Sequence, residues 1–495
     1  MASVTDRGEP RYDVVVVGAG NAALCAALSA REQGASVLVL EKASRSEQGG
    51  NCPFTGGGFR FVHDGIDDLR GLLSGLTDRE VERLSMAPYT AGDFREHLTQ
   101  VTRGETDPDL MEVLVNESRP TVDWMHAQGV TWELSSGARP SSGAPSVVPN
   151  SVGLSASGSG PGLVRMLTDA TRRAGVEVLY QTRMAELRQG QDGGVTGVEI
   201  EDRDGNHTVS CKGVVLACGG FEASPEMRSE HLGEGWRRAK VRGSRHNTGD
   251  GHRVALKAGA RPAGQWAGCH ATPIDAGAPA TGDLRLTDAM PRRSYSLGIT
   301  VNLEGKRFAD EGEGFAEQTF VTMGGLILQQ TRGIAFQIFD AKALPHLEPR
   351  YGGAQRADAD NVVGLARKLY IDPESLDRTL NAFNAAAHRG EYEPRQLDGR
   401  STRGLEPPKS NWALTLDVPP FVAFTVTGGI TYTYGGLKIS ARAEVLDHSD
   451  EPVPGLFAAG EIVGGVFLHN SLRAAGLMHG AVFGRLAGIH AARGR

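Results

Sequence analysis

Near the end of this 495-residue sequence stands HNSLRAAGLMHG, residues 469 to 480. Arg473 is its one guanidinium, set among small and apolar residues with His469 and His479 on either side. Residue type alone leaves two readings of Arg473: a surface arginine on a helix, or a charge aimed at an anionic ligand. A second chemical signal lies near the start, in GAGNA at 18 to 22, where Gly18, Gly20 and Ala23 fit G-x-G-x-x-G/A. The motif lies between YDVVVV, an apolar β-branched run of strand length, and LCAALSAREQG, apolar at helical spacing. SVLVLEK then reads as a second strand, ending in Glu41, 21 residues after Gly20. In such a βαβ unit Gly18 allows the tight turn, Gly20 lets a pyrophosphate approach the backbone, and Ala23 lets helix and strand pack closely. The helix N-terminus faces the phosphates, and Glu41 is placed to accept ribose hydroxyls.

An acidic strand end suits FAD or NAD, and the next segment separates them. EQGGNCPFTGGGFRF, residues 47 to 61, is a second glycine-rich loop directly after the βαβ unit. A nicotinamide domain has no need of it, whereas an isoalloxazine ring must lie flat against backbone that side chains would block. Three further stretches agree. GVVLACGGF (213–221) is a strand ending in a double glycine, and NTGDGHRVALKAGA (247–260) puts Asp250 at a helix start. VPGLFAAGEIVGG (453–465) is a strand with Glu461 just beyond it, the acid that FAD folds use to hold the ribitol. FAD contacts are therefore expected at Gly18, Ala19, Gly20, Asn21, Ala22, Glu41, Lys42, Gly49, Gly50, Asn51, Thr55, Gly57, Met184, Ala217, Gly219, Asp250 and Glu461.

The elements that must position these residues give an α/β fold. A Rossmann-like FAD-binding domain of the glutathione-reductase type is expected over 1–261 and 419–495, interrupted by an α+β cap over 262–418. Residues 161 to 175 read as an amphipathic helix, and the segments on either side of a DG turn at 204–205 read as strands. Residues 66 to 135 look helical, and 135 to 160, rich in Ser, Gly and Pro, look like loop. The net charge of −7, with no block of like charge, makes nucleic acid and anionic membranes poor partners. No apolar run reaches the ~18 residues that span a bilayer, and no signal peptide is evident, so the expectation is a cytoplasmic protein outside the membrane. Five cysteines, Cys25, Cys52, Cys211, Cys218 and Cys269, with no CxxC, argue against a disulfide framework or structural zinc, and no metal is expected.

These stretches together resemble the flavoprotein family of fumarate reductases, succinate dehydrogenases and L-aspartate oxidase. The likeness runs over nearly the whole chain through GAGNAALCAAL, the GGN loop, TGDG, GKRF (305–308) and AAGE. Within that family GCHATP (268–273), GKRFADEG (305–312), GGITYTYGGLKI (428–439) and AVFGRLAG (481–488) are most similar to the FAD-dependent tricarballylate dehydrogenase group. The resemblance implies hydride transfer between the flavin and a carbon next to a carboxylate, with a cap closing over the flavin and arginines and histidines holding carboxylates. Small-molecule organic acids are the implied substrates, and electrons pass to a partner protein or to oxygen.

Residue by residue, the resemblance implies a carboxylate-binding role for His270. Tyr432 stands where many relatives have a histidine; it can donate a hydrogen bond, act as a base if its pKa is depressed, or merely pack on the flavin. Arg473 lies two residues after the family's substrate arginine, whose strict position is Ser471. Ala475, Gly476 and Leu477 match the segment whose amides meet the pyrimidine edge of the flavin. The family's proton-donating arginine is replaced near Phe315 and Ala316, and its threonine–glutamate pair by MPRRSYSLGI (290–299), with Arg292, Arg293 and Tyr295. Asn51 occupies the position of the covalent flavin histidine of succinate dehydrogenases, so non-covalent FAD is expected. The departures leave open an unrelated metabolite as substrate, or a non-catalytic electron-relay protein.

Overall fold

The computed structural model describes residues 11–73, 77–135, 146–147, 150–286 and 289–494. The chain divides into two units. The first comprises 1–224, 244–269 and 432–495, and the second 225–243 and 270–431.

The first unit is built on an eight-stranded sheet among the described residues. Its centre is β1 (Arg11–Val17), parallel to β2 (Val37–Glu41) on one side and to the strand Gly205–Leu216 on the other. The strands Glu177–Tyr180 and Pro452–Ala458 extend the parallel set at its two sides. Val14, Val15 and Val16 are wholly buried, as a parallel strand covered on both faces must be. The turn at Gly205 folds the antiparallel pair Val195–Asp202 and Gly205–Leu216. The helix α1 (Asn21–Glu32) packs against the helix Ala475–Arg493. Glycine at 484 and 488 makes this possible: a Cβ would lie 2.3 Å from the Ala22 carbonyl oxygen and 2.1 Å from that of Ala26.

Helices Ala91–Val101 and Pro108–Ala127 lie within the expected helical stretch, the second capped by Asp107 with proline at its first position. The expected loop from 135 to 160 is only partly so. Residues 136–145 and 148–149 lie outside the described residues, but Leu154–Ala156 is a strand pairing with Gly58–Phe59 and Trp132–Leu134. Leu154 and Ala156 are fully buried there, so pairing and burial override a turn-like composition.

The second unit has α+β character. The long strand Phe421–Leu437 pairs antiparallel with Ala335–Phe339 and Ala357–Ala359, and parallel with Lys240–Val241. Ile299, Val301, Ile338, Leu365, Leu376 and Phe383 form a core between this sheet and the helices Val362–Leu369 and Pro373–Ala386. The unit boundaries fall inside two strands, at 269/270 in Pro262–Asp275 and at 431/432 in Phe421–Leu437.

Candidate cofactor and substrate residues

The β1–α1 turn is built as its sequence demands. Gly18 has φ +108°, and a Cβ there would meet the Ala217 carbonyl oxygen at 2.4 Å, joining two expected cofactor residues in one close approach. Gly20 precedes α1 in extended conformation, with no side chain capping the helix and no acid in its first turn. Glu41 is buried and ties this turn to the end of β2: its Oε2 accepts the Ala19 N–H at 2.9 Å, and its Oε1 the Ala43 N–H at 2.7 Å. Burial raises its carboxyl pKa, while these two amides pull the other way. Lys42 and Asp250, expected separately, form an ion pair at 2.9 Å, and Lys42 Nζ also donates to Thr248 Oγ1 at 2.6 Å. Met184 is buried on the strand Arg183–Gln189.

In the second glycine loop Gly49, Gly50 and Gly57 all have positive φ. Thr55 shapes the loop, its Oγ1 donating to the Cys52 carbonyl and accepting the Gly57 N–H. Asn51 is a hub. Its Oδ1 accepts the Ser244 N–H at 2.9 Å; its Nδ2 donates to Glu222 Oε1 at 2.7 Å and reaches Glu461 Oε2 at 3.4 Å. Asn247 Nδ2 donates to the same Glu222 oxygen at 2.7 Å, and Glu461 Oε1 accepts the Thr433 N–H at 3.0 Å. Glu222 and Glu461 thus share the Asn51 Nδ2 donor, and their carboxyls act on each other electrostatically. Burial raises both pKa values, and for Glu461 the neighbouring Glu222 charge adds to it. Two buried carboxylates in contact cannot both ionise near neutrality, so the pair holds a proton. Gly219 and Gly220 make room for this network: a Cβ at 220 would lie 2.1 Å from Glu461 Oε1, and one at 219 would lie 2.6 Å from Asn247 Oδ1. Sequence reasoning missed Glu222, Asn247 and Thr433. Glu222 directly follows GGF, and Asn247 opens NTGDG, so both sit beside recognised motifs.

The helix Ala475–Arg493 starts after Ala474, which has φ +64°, and its N-terminus carries no side-chain cap and no acid. A Cβ on Gly476 would meet nothing within 4 Å, so open space lies before that turn. Asn21 Nδ2 donates to the Leu477 carbonyl at 2.7 Å and ties this helix start to that of α1. Two helix N-termini without protein caps, beside glycine-lined turns, are what an extended dinucleotide needs at its pyrophosphate and at the carbonyl-bearing edge of its flavin. The residues present therefore fit FAD.

Arg473 is exposed, and its guanidinium has no hydrogen bond or ion pair among the described residues. Its backbone is held by buried Arg60, whose Nε donates to the Arg473 carbonyl at 2.9 Å and whose N–H donates to that of Ala474 at 3.2 Å. Arg60 Nη1 donates to Tyr89 Oη at 2.6 Å, and Tyr89 Oη meets His97 Nδ1 at 3.0 Å. Tyr432 packs edge-on against Tyr434 and Phe467 and is hydrogen-bonded to Ser471. Burial pushes its phenol pKa upward, so the hydroxyl holds its proton at neutral pH. Of the two histidines beside Arg473, His469 bonds Glu105 at 3.0 Å, and His479 is buried against Phe467 and Phe483 with its pKa pushed down to about 4.

His270 belongs to the second unit. Burial, then the charges of Arg242 and Arg293, lower its pKa to about 3, so it is a neutral imidazole. Its ring lies 5.0 Å from that of Phe320. Phe315 caps the helix Ala316–Gln329 and packs on Trp412, leaving no arginine at that helix start. In PRRSY, Arg292 is buried and spent on Asp275 Oδ2 and the Ala289 and Pro291 carbonyls. Tyr295 bonds Thr319 at 2.6 Å.

Residues 13–477 match the family model described as FAD binding domain. The chain is 28% identical to a fumarate reductase (cytochrome) of Shewanella frigidimarina, over all of this chain and 79% of that protein. It is 29% identical to a urocanate reductase of Eggerthella lenta, over 97% of this chain and 74% of the relative. Among solved structures, the open conformation of a flavocytochrome c3 fumarate reductase superposes with a TM-score of 0.73 at 26% identity, covering 98% of this chain and 78% of that one. With the glycine cradles and uncapped helix starts that fit the cofactor, these likenesses lead to one conclusion: the chain belongs to the FAD binding domain family and is an FAD-dependent oxidoreductase of the fumarate reductase and succinate dehydrogenase flavoprotein group, acting on carbon–carbon bonds.

Proposed function

We propose that this flavoprotein forms or reduces a C=C bond next to a carboxylate in a small polycarboxylate such as tricarballylate. The observation that carries this reading is Arg473: a guanidinium without a partner among the described residues, on backbone fixed by buried Arg60, at the turn into the helix whose open N-terminus suits the flavin. FAD, when bound, supplies the hydride acceptor or donor. Arg473 holds a carboxylate by charge-assisted hydrogen bonds. His270, neutral, donates one N–H to a carboxylate oxygen, and Tyr432, protonated, donates from its hydroxyl. We assign cofactor binding to the first unit.

The cofactor is held without a covalent bond. The Asn51 carboxamide is engaged through both its atoms, and the Cys52 thiol, pushed up to about 11 chiefly by burial, accepts the Asn21 N–H and stays protonated. Electrons leave to a separate protein or to oxygen; one relative is named for a cytochrome and another, from Vibrio harveyi, is named an NADH:acrylate oxidoreductase. No helix among the described residues is long and apolar enough to cross a membrane, and the cytoplasm is the proposed location. Anaerobic titration of the holoenzyme with tricarballylate tests the reaction. Bleaching of the visible flavin band within seconds is expected, and an unchanged spectrum sinks it.

A further inference from the structure

One buried guanidinium of the first unit is held by hydrogen bonds that run in a single direction. Arg60 follows the strand Gly58–Phe59 and is 5% exposed. Its Nε and its backbone N–H grip the carbonyls of Arg473 and Ala474, and its Nη1 donates to Tyr89 Oη. Among the described residues no carboxylate pairs with it. Burial works against its charge, Tyr89 supports it, and the like charge of Arg473 opposes it. Its place under the Arg473 turn therefore depends on Tyr89.

Counting donors fixes the rest of the chain. A guanidinium donates and never accepts, so Tyr89 Oη spends a lone pair on Arg60. Tyr89 is wholly buried, and among the described residues the other partner of its hydroxyl is His97 Nδ1 at 3.0 Å. A proton on Nδ1 would make His97 a second donor and bury the hydroxyl hydrogen without an acceptor, which is costly. The hydroxyl therefore donates to Nδ1, and Nε2 of His97 carries the ring proton. Packing holds this line in place. The Tyr89 backbone donates to the His63 carbonyl at 2.9 Å and accepts the His63 N–H at 3.1 Å. The Tyr89 ring lies 5.2 Å from Arg60 Cζ and stacks on the His97 ring at 5.6 Å, with 24° between the planes. His97 is half-buried on the helix Ala91–Val101, which starts at the Thr90 capping box directly after Tyr89. Asp93, one turn before His97, spends its Oδ2 on the Thr90 N–H and hydroxyl, and no acid bonds His97 among the described residues.

We propose that Tyr89 and His97 are positioning residues for anion binding at Arg473: His97 orients the Tyr89 hydroxyl, Tyr89 orients the Arg60 guanidinium, and Arg60 holds the turn that presents Arg473. This deepens the reading above and rests on it for the identity of the anion, a substrate carboxylate. The chain acts through the Arg473 main chain and not on the substrate. A donor-only side chain in place of His97 takes away the acceptor that Tyr89 needs, whereas a side chain with a free carbonyl keeps it.

Amide hydrogen exchange of the FAD-loaded enzyme, read by mass spectrometry on the peptide 469–480, follows the turn independently of turnover. Tyr89→Phe and His97→Lys are each expected to speed its exchange by on the order of three- to tenfold, the worth of one hydrogen bond. His97→Gln, whose carbonyl can accept from Tyr89, is expected to stay near wild type. Calorimetric titration with tricarballylate is expected to show affinity weakened by a similar factor in the first two variants and not in the third, with FAD content intact. Where Tyr89→Phe does not fold, the two His97 variants carry the test. Wild-type exchange in Tyr89→Phe and His97→Lys, or equal exchange in His97→Lys and His97→Gln, overturns the proposal. Faster exchange in the first two variants alone, in an enzyme that tricarballylate neither binds nor bleaches, upholds the chain and sinks only the carboxylate reading of Arg473.

Discussion

Arg60 Nε donates to the backbone carbonyl of Arg473 across 413 positions of sequence, at 2.9 Å. One arginine thus positions another through its main chain, and among the described residues the buried side chain bonds a tyrosine hydroxyl and one carbonyl in place of a carboxylate. Arg60→Leu removes these two side-chain bonds and leaves the Tyr89 hydroxyl and the Arg473 carbonyl without this donor, while the backbone N–H to the Ala474 carbonyl remains. A stability loss of about 2 kcal/mol is expected in urea unfolding, typical of a hydrogen bond to a charged group. At permissive temperature KM for the carboxylate substrate rises more than kcat falls, because Arg60 acts by holding Arg473 in place.

Arg473 itself is exposed and unpartnered within the described residues, so its replacement costs the fold little. Arg473→Ala is expected to keep wild-type FAD content and melting temperature, and to lose on the order of 10–100-fold in kcat/KM, the worth of one charge-assisted contact. Steady-state kinetics with a dye acceptor checks this; undiminished turnover in the variant removes Arg473 from the substrate site.

The Glu222–Glu461 pair makes stability depend on pH in a stated direction. Both carboxyls have their pKa raised on folding, so the folded state holds a proton that the unfolded chain releases near 4.5. Stability from this source is full below that value and declines as pH rises through the folded-state titration. Glu222→Gln keeps an acceptor for Asn51 and Asn247 and offers an N–H₂ to Glu461, while removing one titration. Urea midpoints from about pH 5 to pH 9 are expected to fall less steeply in the variant than in the wild type. Equal slopes would mean that the pair does not share a proton.

Two glycines of one helix separate folding from cofactor retention. Gly484→Ala puts a methyl 2.3 Å from the Ala22 carbonyl oxygen and pushes the packed helices apart, so lower melting is expected even without FAD. Gly476→Ala meets open space in the protein, and an exposed glycine-to-alanine change within a helix favours the apoprotein by up to about 1 kcal/mol. It nonetheless projects where the flavin edge is assigned, so weaker FAD retention on dilution is expected, read by flavin fluorescence. Tight FAD in the alanine variant would place the ring elsewhere.

The sequence by itself determined the βαβ unit, its dinucleotide chemistry and the choice of FAD. These signals are local: a strand, a glycine turn and a helix announce themselves within about 30 residues because each needs particular residues at fixed spacing. The helix start at Asp250 and the strand before Glu461 were legible for the same reason. Tertiary structure alone decided that Glu461 meets Glu222 and Asn51, because a parallel sheet brings the ends of distant strands to one edge and a lone glutamate carries no mark of its partner. It alone distinguished Arg292 from Arg293, identical neighbours in sequence. One is spent on Asp275; the other is left charged beside Thr272 and Phe320, because consecutive side chains leave the backbone in different directions and meet different walls. And it showed that burial, which no single-residue pattern records, raises the cost of the Tyr432 phenolate.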